Sequence, residues 1–120
     1  MMARDGVPES DWNIFRELRA LALERFCKRV LEDLEPLRRD ASQSHHQRYL
    51  NVYRFLQARD EEIAHAFNDP RRSRMIIQLA AIHAYGLLEP DELGRFSERT
   101  RITIESLAKE LFRGSPSRVS

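Results

Sequence analysis

Four stretches of this chain repeat apolar residues every three or four positions, and that rhythm leaves little choice of fold. The first carries Phe15, Leu18, Ala22, Phe26, Val30 and Leu34. A second row, Leu23, Cys27, Val30 and Leu34, widens the same stripe, while Arg16, Arg19, Glu24, Arg25, Arg29 and Glu32 read as a polar face. Spacings of three and four place side chains on one side of an α-helix, so the segment is amphipathic and helical. Tyr49, Val52, Leu56, Ile63 and Phe67 mark a second such helix. Met75, Ile76, Leu79, Ile82 and Tyr85 mark a third, and Leu93, Phe96, Thr100, Ile104, Leu107 and Leu111 a fourth.

Punctuation residues set the expected limits. Ser10 is placed to cap the first helix, with Asp11 in its first turn, where the helix dipole favours an acid. Pro36 lacks the N–H needed to continue, which puts the end near Leu34. Ser42 or Ser44 can cap the second helix, which runs to about Asn68. In Asn68-Asp69-Pro70, Asp69 reads as an N-cap and Pro70 as the first residue of a third helix reaching Tyr85. Gly86 supplies a left-handed stop. Leu87-Leu88 crosses to the next element and is expected at least partly buried. Glu89-Pro90-Asp91-Glu92 opens the fourth helix, in which Gly94 is a weak point and Ser97 can restart the turn.

With 120 residues, four glycines and five prolines, the composition favours one domain of long regular elements. The expected fold is all-α: a four-helix bundle-like arrangement of antiparallel amphipathic helices over residues 10–113, with tails at 1–9 and 114–120. The third helix is shorter than its neighbours and leaves part of the long hairpin uncovered. A homodimer, or another protein partner, is the expected cover.

Several function classes lose ground on simple counts. The formal net charge is +1, far from the basic excess of a nucleic-acid binder. No apolar run approaches the roughly 20 residues of a membrane span. The start of the chain lacks the apolar core of a signal peptide, and the single cysteine, Cys27, excludes an internal disulfide. The expectation is therefore a cytoplasmic protein without membrane contact. Cys27 lies within an apolar stripe and reads as a small buried hydrophobe.

No motif specifies a reaction. There is no phosphate-binding glycine loop and no nucleophile elbow, so a non-catalytic chain without a cofactor is expected. Glu62 and His65 form Glu-x-x-His, a spacing that places a carboxylate and an imidazole on one helical face, as in di-iron bundles. The second copy that such sites require is missing before His83, where Ala80, Ala81 and Ile82 stand. His45 and His46 are adjacent and diverge by about 100° on a helix. The most unusual chemistry is Arg71, Arg72 and Arg74 at an expected helix N-terminus, where the dipole disfavours cations. Pairing with Asp60, Glu61 or Glu62 explains them most simply. Docking to an acidic partner, or binding an anion or phosphate, are the alternatives. Direct nucleic-acid reading by that helix is disfavoured, because Met75, Ile76, Leu79 and Ile82 occupy its face. Trp12, and the pair Tyr49 and Tyr53, read as core or core-edge aromatics that could also touch a partner. The leading functional expectation is a protein-interaction or regulatory module. A nucleic-acid-associated regulator and a metal-binding bundle stand behind it.

Overall fold

A computed structural model of the chain describes residues 7–113. Among these there is no β-strand. Five α-helices follow one another: α1 Glu9–Arg39, α2 His45–Phe67, α3 Met75–Ala84, α4 Pro90–Leu93 and α5 Glu98–Arg113. A 3₁₀ turn, Arg72–Arg74, leads into α3.

The core is built around α3, whose ten residues are apolar on nearly every side. Six of them, Met75, Gln78, Leu79, Ala80, Ala81 and Ile82, are buried, as expected for a central helix. It packs chiefly on α5, then on α2 and α1. One apolar cluster joins Phe15 and Leu18 of α1 to Met75, Leu79, Leu93, Phe96 and Ile104. A second joins Ala22 to Ile63, Ala66, Phe67, Ala81, Ile82 and Leu87.

This core uses only part of the two long helices. At 31 residues, α1 is about 46 Å long, and the molecule measures 59 × 26 × 23 Å. Between residues 31 and 62 no residue is buried. The distal part of α1, the loop and most of α2 therefore form a two-helix arm that projects from the body. Two contacts fix the arm's antiparallel register. Arg48 donates to the Arg38 carbonyl at 3.2 Å, and Arg19 donates to the Phe67 carbonyl. In that register Leu31 stands level with Phe55 and Leu56.

Some expected limits hold and others move. Ser44 caps α2, its hydroxyl accepting the Gln47 N–H at 3.0 Å. Gly86 adopts a φ of 73° after α3. Leu87 is buried. The expected fourth helix divides at Gly94 into α4 and α5, and Ser97 begins the second piece. By contrast, α1 starts at Glu9 with Pro8 as its N-cap and continues through Pro36 to Arg39. A proline in the last turn forfeits one backbone bond, too little to stop a helix already formed. Asp69 does not cap α3. It takes a φ of 55° and turns its carboxylate to Arg71, so the α-helix begins five residues after Pro70. The expected N-terminal tail is ordered at its end, where Val7 is buried in the core. Residues 1–6 and the expected tail at 114–120 lie outside the described residues.

Candidate functional site

The polar face of α1 closes the ends of other helices. Asp11 is 1% exposed. Its carboxylate accepts the Ser97 N–H at 3.0 Å, the Ser97 hydroxyl at 2.8 Å and the Thr100 hydroxyl at 2.6 Å. It therefore serves the N-terminus of α5 from a different helix, with the sign the helix dipole favours. Arginines of α1 do the reverse at C-termini. Arg19 reaches the Phe67 carbonyl at the end of α2. Arg29 donates to the Tyr85 carbonyl at 2.8 Å, just past α3. Arg25 donates to the Leu87 carbonyl at 2.8 Å and grips Glu92 with two bonds of 2.7 Å.

Glu92 also accepts the Glu89 N–H at 2.8 Å, which holds the start of α4. The hydrogen bonds from Arg25 hold the Glu92 carboxyl below the usual glutamate range, against an opposing effect of burial. The sign follows from that direction. A depressed folded-state pKa gives stability that is present above the unfolded value of about 4.3 and is lost as pH falls through the folded value. Arg25→Met should cost about 2 kcal/mol at neutral pH. It should also flatten the loss of stability on acidification. Urea midpoints of both proteins, followed from neutral pH down to about pH 3, test this. Parallel acid limbs would contradict it.

The arginines at 71–74 gather around Trp12 and Asp69. Arg71 pairs with Asp69, its Nε 3.0 Å from each carboxylate oxygen. Arg72 pairs with Glu9 and lies 5.5 Å from the centre of the Trp12 ring. The acids weighed in the sequence, Asp60, Glu61 and Glu62, are not these partners. Arg74 buries its Nε without a hydrogen bond. Arg16 stands 6.0 Å from the Trp12 ring centre, so two guanidinium groups flank the indole. Trp12 in turn stacks on Phe15 at 5.4 Å. Beside them is a shallow cavity of about 260 Å³, lined by Trp12, Phe15, Arg16, Arg19 and Pro70.

Glu62 and His65 are not brought to a shared centre. The Glu62 carboxylate lies 3.0 Å from Arg59, and its backbone carbonyl accepts the Tyr85 hydroxyl at 2.8 Å. The His65 ring lies 6.1 Å from Tyr85. Among the described residues, no three His, Cys, Asp or Glu side chains are grouped to hold a metal. His83 is half-buried at an open groove with Ala84, Glu105, Ala108 and Lys109. Among the described residues, no helix is long and apolar enough to cross a membrane.

The arm carries what the body leaves open. Leu31 is 63% exposed, Tyr49 67%, Tyr53 54% and Leu56 38%. Cys27 is exposed, contrary to the buried role expected for it. The two tyrosines likewise lie outside any core edge. A groove along α1 is lined by Glu24, Cys27, Lys28, Leu31, Glu32 and Glu35. Tyr49 and Leu56, which their spacing assigns to the buried side of the second helix, are thus exposed, and Leu31 falls outside both apolar rows expected for the first helix.

The chain matches no protein-family model, no curated protein and no solved structure.

Proposed function

We propose that this chain is a non-catalytic interaction module that presents its two-helix arm to a second helical surface. The observation that carries this reading is the arm itself. It holds no buried residue between 31 and 62, yet it displays Leu31, Tyr49, Tyr53 and Leu56. Exposed apolar strips of this kind on a small protein favour a partner. At the base of the arm, Arg19 of α1 ties down the C-terminus of α2 through the Phe67 carbonyl. The pairing of Arg71 with Asp69 and of Arg72 with Glu9 reduces the charge left there for phosphate, which weakens the nucleic-acid reading.

The test is capture from the source lysate, with and without nuclease, by the native chain and by Leu31→Asp/Leu56→Asp. The expected result is one protein held at stoichiometric level by the native chain, either another polypeptide or an untagged copy, and lost by the variant. No retained protein would overturn the reading. Retention abolished by nuclease would transfer it to the Arg71, Arg72 and Arg74 cluster.

A further inference from the structure

We infer that the cavity beside Trp12 is a binding site for a small organic anion, whose carboxylate or phosphate group is held by Arg16 and Arg19. The site lies on the body and stands apart from the interaction reading of the arm. Three observations support it.

The first is unmatched charge. Every acid within residues 9–19 and 67–74 is already engaged. Glu9 pairs with Arg72, Glu17 with Arg95 and Asp69 with Arg71. The Asp11 carboxylate serves Ser97 and Thr100. Among the described residues, Arg16 and Arg19 have no carboxylate partner. Arg16 donates to the Asn13 side-chain oxygen at 2.9 Å, and Arg19 to the Phe67 carbonyl. The two stand three positions apart on α1, a spacing that makes them neighbours on one face, where like charges repel. An anion shared between them removes that repulsion.

The second is donor capacity. A guanidinium carries five N–H donors, far more than these contacts use. The Arg19 Nε is buried without a hydrogen bond, and a buried donor costs free energy until an acceptor meets it. Both groups are also held in place over aromatic rings. Arg16 lies 6.0 Å from the Trp12 ring centre and Arg19 5.8 Å from that of Phe67. Anchoring of this kind fixes where the donor fork stands, and a carboxylate or phosphate meets such a fork with two oxygens.

The third is the cavity itself. Trp12, Phe15 and Pro70 line it together with the two arginines. Its volume of about 260 Å³ equals roughly nine water molecules at about 30 Å³ each. Apolar walls with a few polar groups at defined points are the usual make-up of a small-ligand site. The size fits a single ring or short chain, and the apolar lining favours an organic body over a bare inorganic ion.

Trp12 is the chain's single tryptophan, so its fluorescence and its one indole N–H resonance report on this cavity. Titration of the full chain with phenyl phosphate and with phenylacetate tests the site, with benzyl alcohol and inorganic phosphate as controls. At least one organic anion should give a saturable change in both signals, with a Kd of roughly 0.1–1 mM. The tighter of the two identifies the anionic group. Both controls should bind at least about tenfold more weakly, since each offers half of the chemistry. Arg16→Gln, at an exposed position, should weaken binding about tenfold with helix content unchanged, the effect of losing one charged hydrogen bond. Arg19→Gln should act in the same direction. No saturable response to either organic anion up to about 10 mM overturns the inference. Benzyl alcohol binding as tightly as the anions overturns it too, since the cavity would then read only apolar shape. Inorganic phosphate binding as tightly as phenyl phosphate, or Arg16→Gln/Arg19→Gln binding unchanged, does the same.

Discussion

Asp11→Ala is expected to lose about 3 kcal/mol of stability in urea unfolding, because one buried carboxylate serves three donors. Ser97 N–H, the Ser97 hydroxyl and the Thr100 hydroxyl all point at it. Removing it leaves the first turn of α5 without its acceptor, the buried Thr100 hydroxyl included, and deletes an anion from the favourable end of a helix dipole. The damage is local before it is global. Hydrogen exchange at the first turn of α5 should accelerate more than exchange in α2. Asp11→Asn keeps one acceptor oxygen in place and should fall between the native chain and the alanine variant. A loss below about 1 kcal/mol for Asp11→Ala would mean that the three bonds contribute little beyond what water supplies.

The second large effect concerns where stability resides. Leu79 is fully buried at the centre of the first apolar cluster. Leu79→Ala should cost about 3–4 kcal/mol, the sum of lost transfer energy and an unfilled cavity. Leu31→Ala, the same chemical change on the arm, should alter the stability of the monomer by less than about 0.5 kcal/mol. Paired urea titrations at a concentration below any self-association decide the matter. Similar costs at both sites would show that the arm is packed against something that the body's core does not include.

Much of the fold is legible in the chain, and the exceptions share a cause. Amphipathic spacing, Ser44, Gly86, Pro90 and the break between Gly94 and Ser97 are local signals, and the backbone obeys them. Asp69 and Pro70 are also local signals, yet a carboxylate engaged by Arg71 cannot cap the next helix, so the turn opens out before Met75. Charge in α1 reads as a polar face, yet Arg19 and Arg25 reach carbonyls of the body. The row Asp11, Phe15, Leu18, Ala22, Arg25 and Arg29 repeats at intervals of four and three. It is one continuous face, apolar in the middle and charged at both ends. Read that way, the sequence already marks Asp11, Arg25 and Arg29 as facing the body, although Arg19, which reaches Phe67, falls outside the row. It does not say which helix ends they meet, since those lie 48 to 86 residues away. For the candidate site the position is reversed. The apolar residues of the arm are obvious in the sequence, and only the three-dimensional course of α3 and α5 reveals that nothing in the body reaches them.

The dependence of α1 on distant helix ends has a consequence for synthesis. Asp11 emerges early, but Ser97 and Thr100 follow at the far end of the chain. At about 5–20 residues per second, the interval is on the order of ten seconds. Arg25 waits similarly for Leu87 and Glu92. During that interval α1 and α2 can already zip into a hairpin, with Phe15, Leu18 and Ala22 facing water. A hairpin formed at that stage exposes the apolar side chains of α1 that residues 75–104 cover in the finished fold.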